Sequence, residues 1–171
     1  MPKTIDKRVH AKIEGDFVVF IIGMRINKIW KIHKWFPVAI AMPKMIMELS
    51  KNPESGFLGA RQAGFWLVQY WRSFDHLVNY ARNRDAKHFP AWTKFNRRIG
   101  NSGDVGIWHE TYLVKDGQYE TLYNNMPPSG LGKASTLIPA TGKYGSALSR
   151  AGKVETDDAP ISPEGNIRPV Q

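Results

Sequence analysis

The sequence contains no cysteine among its 171 residues. This absence excludes disulfides, thiolate metal sites, iron–sulfur clusters and cysteine nucleophiles, although it neither requires nor contradicts a reducing compartment. Apart from methionine, the soft metal ligands that remain are the five histidines. Any metal or cofactor chemistry that needs a soft protein ligand must therefore be sought at histidine.

Long apolar runs are missing as well. The longest, Phe17 to Met24, is too short to cross a bilayer, and no stretch of signal-peptide form follows the basic residues at the start. We therefore expect a soluble, cytoplasmic protein with no membrane partner. The chain length suits one domain with a core that needs no covalent cross-link.

Acidic residues are scarce: 15 Asp and Glu stand against 24 Lys and Arg, which gives a formal charge of +9. The cations concentrate in two stretches, Arg25 to Lys44, which contains no acid, and Arg82 to Arg98, which contains only Asp85. Either stretch could bind carboxylates or phosphates, or could simply be a solvated surface. No helix-turn-helix, zinc-finger or RNP-type motif accompanies the charge, so we expect no nucleic-acid partner.

Periodicity in the first half predicts a strand, a helix and a pair of strands. Asp16 to Met24 is typical of a strand buried on both faces, and Phe36 to Leu49 has helical apolar spacing, with Pro37 near its first turn and Pro43 at a kink. Two strands, 56–62 and 64–72, follow a turn-forming segment.

The second half predicts two helical segments and two more strands. Ser73 is a plausible N-cap for a helix whose apolar stripe runs from Phe74 to Ala81, and a second helix begins near His88. Val105 to Val114 and Gln118 to Asn124 read as strands joined by a tight turn.

This order, a βαββαβ core with an added strand, predicts an α+β fold with a ferredoxin-like sheet that has helices on one face. The other face must then be covered, and in this architecture a second copy usually covers it, which gives a dimeric α/β barrel. No internal repeat is visible, so we expect a homodimer. We assign residues 1–15 to an N-terminal arm, 16–140 to the domain and 141–171 to an extended C-terminal tail.

Two histidines occupy unusual positions in these elements. Strand alternation puts His109 on one face with Val105, Ile107, Thr111 and Leu113, and puts Trp108, Glu110 and Tyr112 on the other. On the second helix, His88 shares its stripe with Trp92, Phe95 and Ile99. Each histidine could be a functional group, or a core or interface residue whose nitrogens have partners.

The string GIWHETYLVKDGQYETLYNNMPPSGLG resembles the signature of the small monooxygenases of fumagillin-type pathways. The stretch before it, GFWLVQYWRSFDHLVNYARNRDAKHFPAWTKFNRR, also fits that family. The resemblance covers about residues 16–140. It implies the dimeric-barrel fold and monooxygenation of a small, largely apolar organic substrate.

A more distant resemblance, to the haem aldoxime dehydratases, implies roles for individual residues. Those enzymes have a Trp-Arg-Ser segment, a helix with the proximal haem histidine and a Trp-His-Glu strand, in the order in which Trp71-Arg72-Ser73, His88 and Trp108-His109-Glu110 occur here. By that comparison His88 is the axial iron ligand and His109 an acid/base. Trp92 and Phe95 would contact the porphyrin, and Arg72 or Ser73 would hold a polar group of the substrate.

Three alternatives remain open. The first is a haem lyase of the aldoxime dehydratase type, although those enzymes have much longer chains; a monooxygenase differs from it in needing oxygen and an electron donor. The second is a cofactor-free oxygenase that uses Tyr112, Tyr123, Asn124 and Asn125. The third is a noncatalytic ligand-binding protein in which both histidines are interior residues.

Overall fold

The structure is a computed structural model that describes residues 3–153, and these divide into two compact units. One unit is residues 16–114, and the other combines residues 3–15 with 115–153. In chain order the strands are β1 (Val9–Lys12), β2 (Phe17–Ile26), β3 (Phe57–Ala63), β4 (Trp66–Trp71), β5 (Val105–Val114) and β6 (Thr136–Pro139). The helices are α1 (Ile32–Leu49), α2 (Phe74–Arg82), α3 (His88–Arg98), α4 (Leu131–Ala134) and α5 (Ala147–Arg150), with 3₁₀ helices at Pro53–Ser55 and Gly142–Tyr144.

The unit of residues 16–114 contains a four-stranded sheet in the order β3-β4-β2-β5, and all of its pairings are antiparallel. With the helices between the strands, this order is that of a ferredoxin-like α+β fold, which confirms the predicted fold class. The sheet is open and does not close into a barrel within the unit.

Local sequence accounts for most element boundaries. Gly64, with φ +59°, forms the tight turn between β3 and β4, and the Ser73 hydroxyl caps α2 by accepting the His76 backbone N–H. Helix α1 differs from its prediction because it begins at Ile32, about one turn before Phe36. Pro37 therefore lies inside the helix, as Pro43 does, instead of in the first turn.

The core of this unit lies between the helices and one face of the sheet, called here the covered face. Val18 and Trp71 point from the sheet toward Leu49 of α1 and Leu77 of α2. Trp71 is fully buried, and its indole N–H donates to the Gln69 amide oxygen at 2.9 Å. Because burial of large apolar side chains supplies most of the driving force for folding, this cluster holds both helices on the sheet.

A buried carboxylate joins the loop after β2 to the start of β5. The Asp104 side chain is 2% exposed and accepts the ammonium groups of Lys28 at 2.8 Å and Lys31 at 2.9 Å. Its carbonyl oxygen also accepts the backbone N–H groups of Asn27 and Lys28. Hydrogen bonds from the two lysines lower the pKa of Asp104 to about 2.

In the second unit β1 and β6 form a two-stranded antiparallel sheet, with His10 opposite Ile138. Arg150 is buried and forms an ion pair with Glu120 at 2.7 Å. The His10 ring packs on Tyr144, and neither of its nitrogens has a hydrogen-bond partner among the described residues. Burial, reinforced by the nearby Arg150 charge, lowers the pKa of His10.

The prediction of a strand over Gln118 to Asn124 is wrong, because these residues form no strand beside β5. This segment instead meets β1 and the residues around it, where Tyr123 bridges Val9 and the Thr121 hydroxyl accepts the Ala11 N–H. The region assigned as an arm therefore contains a strand. Part of the assigned tail forms short helices, and its residues 154–171 lie outside the described residues.

Among the described residues, no helix combines the length and the apolar character that a membrane crossing requires.

Replacing Asp104 with Asn should lower the free energy of unfolding at pH 7, because the two lysines lose their buried anionic partner. The folded-state pKa lies below the ordinary value of 3.8, so the stabilisation is present above that value and is lost as the pH falls toward about 2. Urea titrations should show a difference between wild type and Asp104→Asn that shrinks below pH 4. The exposed Asp85→Asn serves as the control, and a difference independent of pH would contradict the assignment.

Candidate functional site

His109 shares one face of β5 with Ile107 and Thr111, as strand alternation predicts, and the register places this side chain on the covered face of the sheet. It stands opposite Ile22 of β2, in the row that places Thr111 opposite Phe20. The His109 ring is exposed to solvent along one edge of the sheet and contacts the Phe20 ring, with 5.5 Å between the ring centroids. A titratable side chain is thus held against the apolar face by its strand register.

An apolar cavity of about 130 Å³ lies between α1 and the covered face. Its lining includes Ile22 and Met24 of β2, Val38 and Met42 of α1, Phe65 of the β3–β4 turn, and Ile107. His109 does not line this cavity itself. It adjoins two residues that do, because it is the register partner of Ile22 and shares a strand face with Ile107.

His88 is the first residue of α3, and its stripe on that helix is as predicted. Its Nδ1 lies 3.0 Å from the backbone carbonyl oxygen of Ala81. If Nδ1–H donates to that carbonyl, Nε2 carries the lone pair and is free to bind a metal. The ring also contacts that of Tyr80 at a centroid distance of 6.0 Å.

The aromatic side chains on the same stripe as His88 form a flat pair. The Trp92 and Phe95 rings are stacked with centroids 5.5 Å apart and planes inclined by 14°. Trp92 is 45% exposed. The pair therefore presents a flat surface that a planar ligand could contact.

Tyr80 connects the His88 region to a second cavity of about 150 Å³, whose lining includes several polar side chains. Glu48, Asn83 and Asp85 line this cavity together with Tyr80. The Tyr80 hydroxyl donates to Glu48 at 2.9 Å, and burial together with that carboxylate raises the pKa of Tyr80. Tyr80 is therefore a neutral hydrogen-bond donor at physiological pH.

The two histidines lie on the same side of the sheet, and each contacts a different aromatic ring. His88 contacts Tyr80, His109 contacts Phe20, and both of those aromatic rings pack against the cluster around Trp71. Neither histidine lines either of the two cavities. Within the described residues, no three histidine, aspartate or glutamate side chains converge as a metal site.

Arg72 and Ser73 lie at the junction between β4 and α2. The Ser73 hydroxyl is occupied at the start of α2, where it lies 2.7 Å from Nδ1 of His76 and accepts the His76 backbone N–H. Arg72 is exposed after the end of β4, and its backbone N–H donates to the Gly56 carbonyl at 2.8 Å. The structure thus gives Ser73 a clear structural role.

The opposite face of the sheet, called here the open face, carries no helix within the unit of residues 16–114 and contains an arrangement that the sequence pattern did not reveal. Trp66 and Trp108 flank Gly23 in adjacent strands and contact each other edge to face at 4.9 Å. A Cβ atom at Gly23 would lie 2.4 Å from the Trp108 indole nitrogen, so only glycine admits this packing. Tyr112 donates to Glu110 at 2.7 Å on the same face.

The residues suggested for a cofactor-free site are divided between the two units. Tyr112 lies on β5, and its bond to the Glu110 carboxylate raises its pKa. Tyr123 belongs to the other unit, where its hydroxyl accepts the Gly132 N–H at 2.9 Å. Asn124 and Asn125 are exposed in the same segment as Tyr123.

Comparison with known proteins gives a family match and two similar proteins. The model of the family described as Monooxygenase af470-like matches residues 17–131. Monooxygenase af470 of Aspergillus fumigatus is 28% identical over an alignment of 148 residues that covers 73% of this chain and 48% of the relative. The chain therefore spans about half the length of that curated relative.

Among solved structures, a conserved protein of unknown function from Bacteroides thetaiotaomicron, described as a possible oxidoreductase, is similar to the chain. The TM-score is 0.41 with 8% sequence identity, and the match covers 59% of this chain and 99% of that one.

Replacing Ser73 with Ala should lower the free energy of unfolding by about 1 kcal/mol, because α2 loses its N-terminal cap. Ser73→Asn, which can still cap the helix, should retain most of the stability. Thermal or urea denaturation of both variants measures this difference. Equal stability of wild type and Ser73→Ala would show that the hydroxyl is not used as a cap.

Proposed function

Because the chain belongs to the monooxygenase af470-like family, we propose that it is a monooxygenase-like enzyme acting on a small, apolar organic molecule. The resemblance noted in the WHETY region is confirmed at the level of the family. The substrate binds in the apolar cavity between α1 and the covered face of the sheet. His109 is the group that moves a proton at the edge of that cavity.

The observation that carries this proposal is the position of His109 beside the cavity lining. Ile22 and Ile107 contribute apolar surface to the cavity and are the neighbours of His109 across and along the sheet. An apolar lining favours an apolar substrate, and a few polar groups at the margin of such a pocket fix its orientation. An imidazole has two ring nitrogens, one of which can accept a proton while the other donates one, so His109 suits proton transfer there.

Glu110 does not assist His109 directly. The strand directs it to the open face, where it accepts the Tyr112 hydroxyl. His109 therefore works without an adjacent carboxylate from its own strand. Its aromatic neighbour Phe20 holds the ring against the sheet.

Haem is the cofactor that the distant dehydratase resemblance suggests, and the side chains around His88 suit it. Donation from Nδ1 to the Ala81 carbonyl leaves Nε2 for iron and fixes the orientation of the ring. Trp92 and Phe95 offer a flat aromatic surface on the same helix. When bound, haem would supply the capacity to activate oxygen. An external electron donor would then be required.

The open face supports the proposal of a homodimer. Trp66 is 54% exposed and Tyr112 is 51% exposed, so large aromatic surface lies uncovered on a sheet that has its helices on the other side. Pairing two such faces around a twofold axis would bury these side chains and enclose a space between the sheets.

The haem assignment predicts a spectrum. Protein produced with a haem precursor should show a Soret band and close to one haem per chain in a pyridine haemochrome assay. His88→Ala should abolish the band because the haem would lose the side chain that holds its iron, whereas His109→Ala and the exposed control His33→Ala should retain it.

Retention of wild-type spectra and stoichiometric haem by both His88→Ala and His109→Ala would disprove His88 as the ligand. A colourless protein that also fails to take up hemin would leave the cofactor-free oxygenase or the noncatalytic binding protein. If haem binds, a requirement for both oxygen and a reductant during turnover separates a monooxygenase from a lyase.

A further inference from the structure

Helix α1 is apolar on two opposite sides. Met45 and Leu49 face the core and are buried. On the outward side, a stripe of four large apolar residues is exposed: Ile32 (58%), Phe36 (51%), Ile40 (40%) and Met47 (57%). Spacings of four, four and seven residues place these side chains on one face of the helix.

The loop before the helix extends this surface. Ile29 is 69% exposed and Trp30 is 72% exposed. We call these two residues and the four of the stripe the apolar ridge. A helix that is apolar all round is normally buried, so the ridge is a surface that requires a cover.

The charges around the ridge are of one sign. No acidic residue occurs from Arg25 to Met47. Asp104 forms ion pairs with Lys28 and Lys31, whereas the Lys34 ammonium donates to the backbone carbonyl of Arg98 and has no carboxylate partner among the described residues. This bond also brings the last turn of α3, which carries the exposed Arg97 and Arg98, close to the first turn of α1.

The chemistry of the cover follows from these charges. A second copy packed ridge to ridge around a twofold axis would bring the cations of this end of the unit close to their own equivalents, which is unfavourable. An anionic lipid surface complements the same pattern: apolar side chains enter the boundary between headgroups and acyl chains, and lysine and arginine stay with the phosphates.

We infer that the apolar ridge binds the surface of an anionic membrane, with α1 lying in the plane of the interface. The helix has 18 residues and is about 27 Å long, so it presents its outward stripe along the bilayer without crossing it. Trp30 belongs to the residue type that concentrates at membrane interfaces. The expectation of no membrane partner was based on the absence of a spanning run, which does not bear on surface attachment.

This inference is independent of the proposed reaction, and its experiment needs no substrate. The full chain is mixed with vesicles of phosphatidylcholine or of phosphatidylcholine with phosphatidylglycerol, and the bound fraction is measured by flotation. Wild type should bind the anionic vesicles, and binding should weaken when salt rises from about 0.1 to about 1 M. Neutral vesicles should bind at least about tenfold less.

Trp30→Ser combined with Phe36→Ser should lower the partition coefficient on anionic vesicles at least about tenfold, because the ridge loses its two aromatic side chains. Phe74→Ser, which removes a 46% exposed aromatic from α2, is the matched control and should change it less than about twofold. Unchanged circular dichroism and melting temperature confirm that the variants are folded.

Three results would overturn the inference. The first is no flotation of wild type with anionic vesicles at low salt, and the second is equal binding to neutral vesicles. The third is an equal loss of binding in Phe74→Ser and the double variant. If sedimentation instead shows a dimer that dissociates in the double variant while no vesicle binding occurs, a second copy covers the ridge.

Discussion

The antiparallel register of β2 with β4 and β5 determines on which face of the sheet each strand side chain lies in the unit of residues 16–114. Strand side chains alternate with a period of two, so this register decides which residues meet the helices and which meet the open face. A slip of one residue between β2 and β5 would move His109 to the open face and bring Glu110 toward the cavity. The chemistry proposed for the site depends on this alignment.

Gly23 is the feature that fixes the register most strictly. It stands between Trp66 and Trp108, and the Trp108 indole occupies the space where any other residue would place its Cβ atom. A shift of β5 by one residue would place the Trp108 indole opposite Ile22 or Met24. Unlike Gly23, these residues carry large side chains, which lie on the covered face. One glycine thus links the indole pair on one face to the cavity lining on the other.

The sequence was sufficient for the features that local periodicity encodes. The alternation in Val105–Val114 correctly assigned His109 and Glu110 to opposite faces, and the order of strands and helices gave the ferredoxin-like topology. Ser73 was recognisable as a cap because its side chain acts on the backbone three residues ahead.

Features that depend on contacts between distant segments were not predictable. The pairing of β1 with β6 joins segments more than a hundred residues apart, and the segment around Tyr123 bridges β1 instead of extending a hairpin from β5. The cavity and the indole pair at Gly23 arise only when α1, β2, β4 and β5 are assembled. For the same reason, the exposure of Trp30 and Phe36 could not be inferred from an apolar sequence that equally suits a buried helix.

The proposed chemistry requires the apolar cavity and the neighbouring His109 to act as one site. The most direct test is titration with benzene, a small apolar probe of the kind that cavities of about this size bind, followed by NMR of labelled methyl and imidazole groups. Benzene should shift the resonances of Ile22, Ile107 and the His109 ring while leaving Tyr112 on the open face unchanged. Shifts at Tyr112 without shifts at His109, or binding that moves the isoleucine resonances but not the imidazole, would contradict the account.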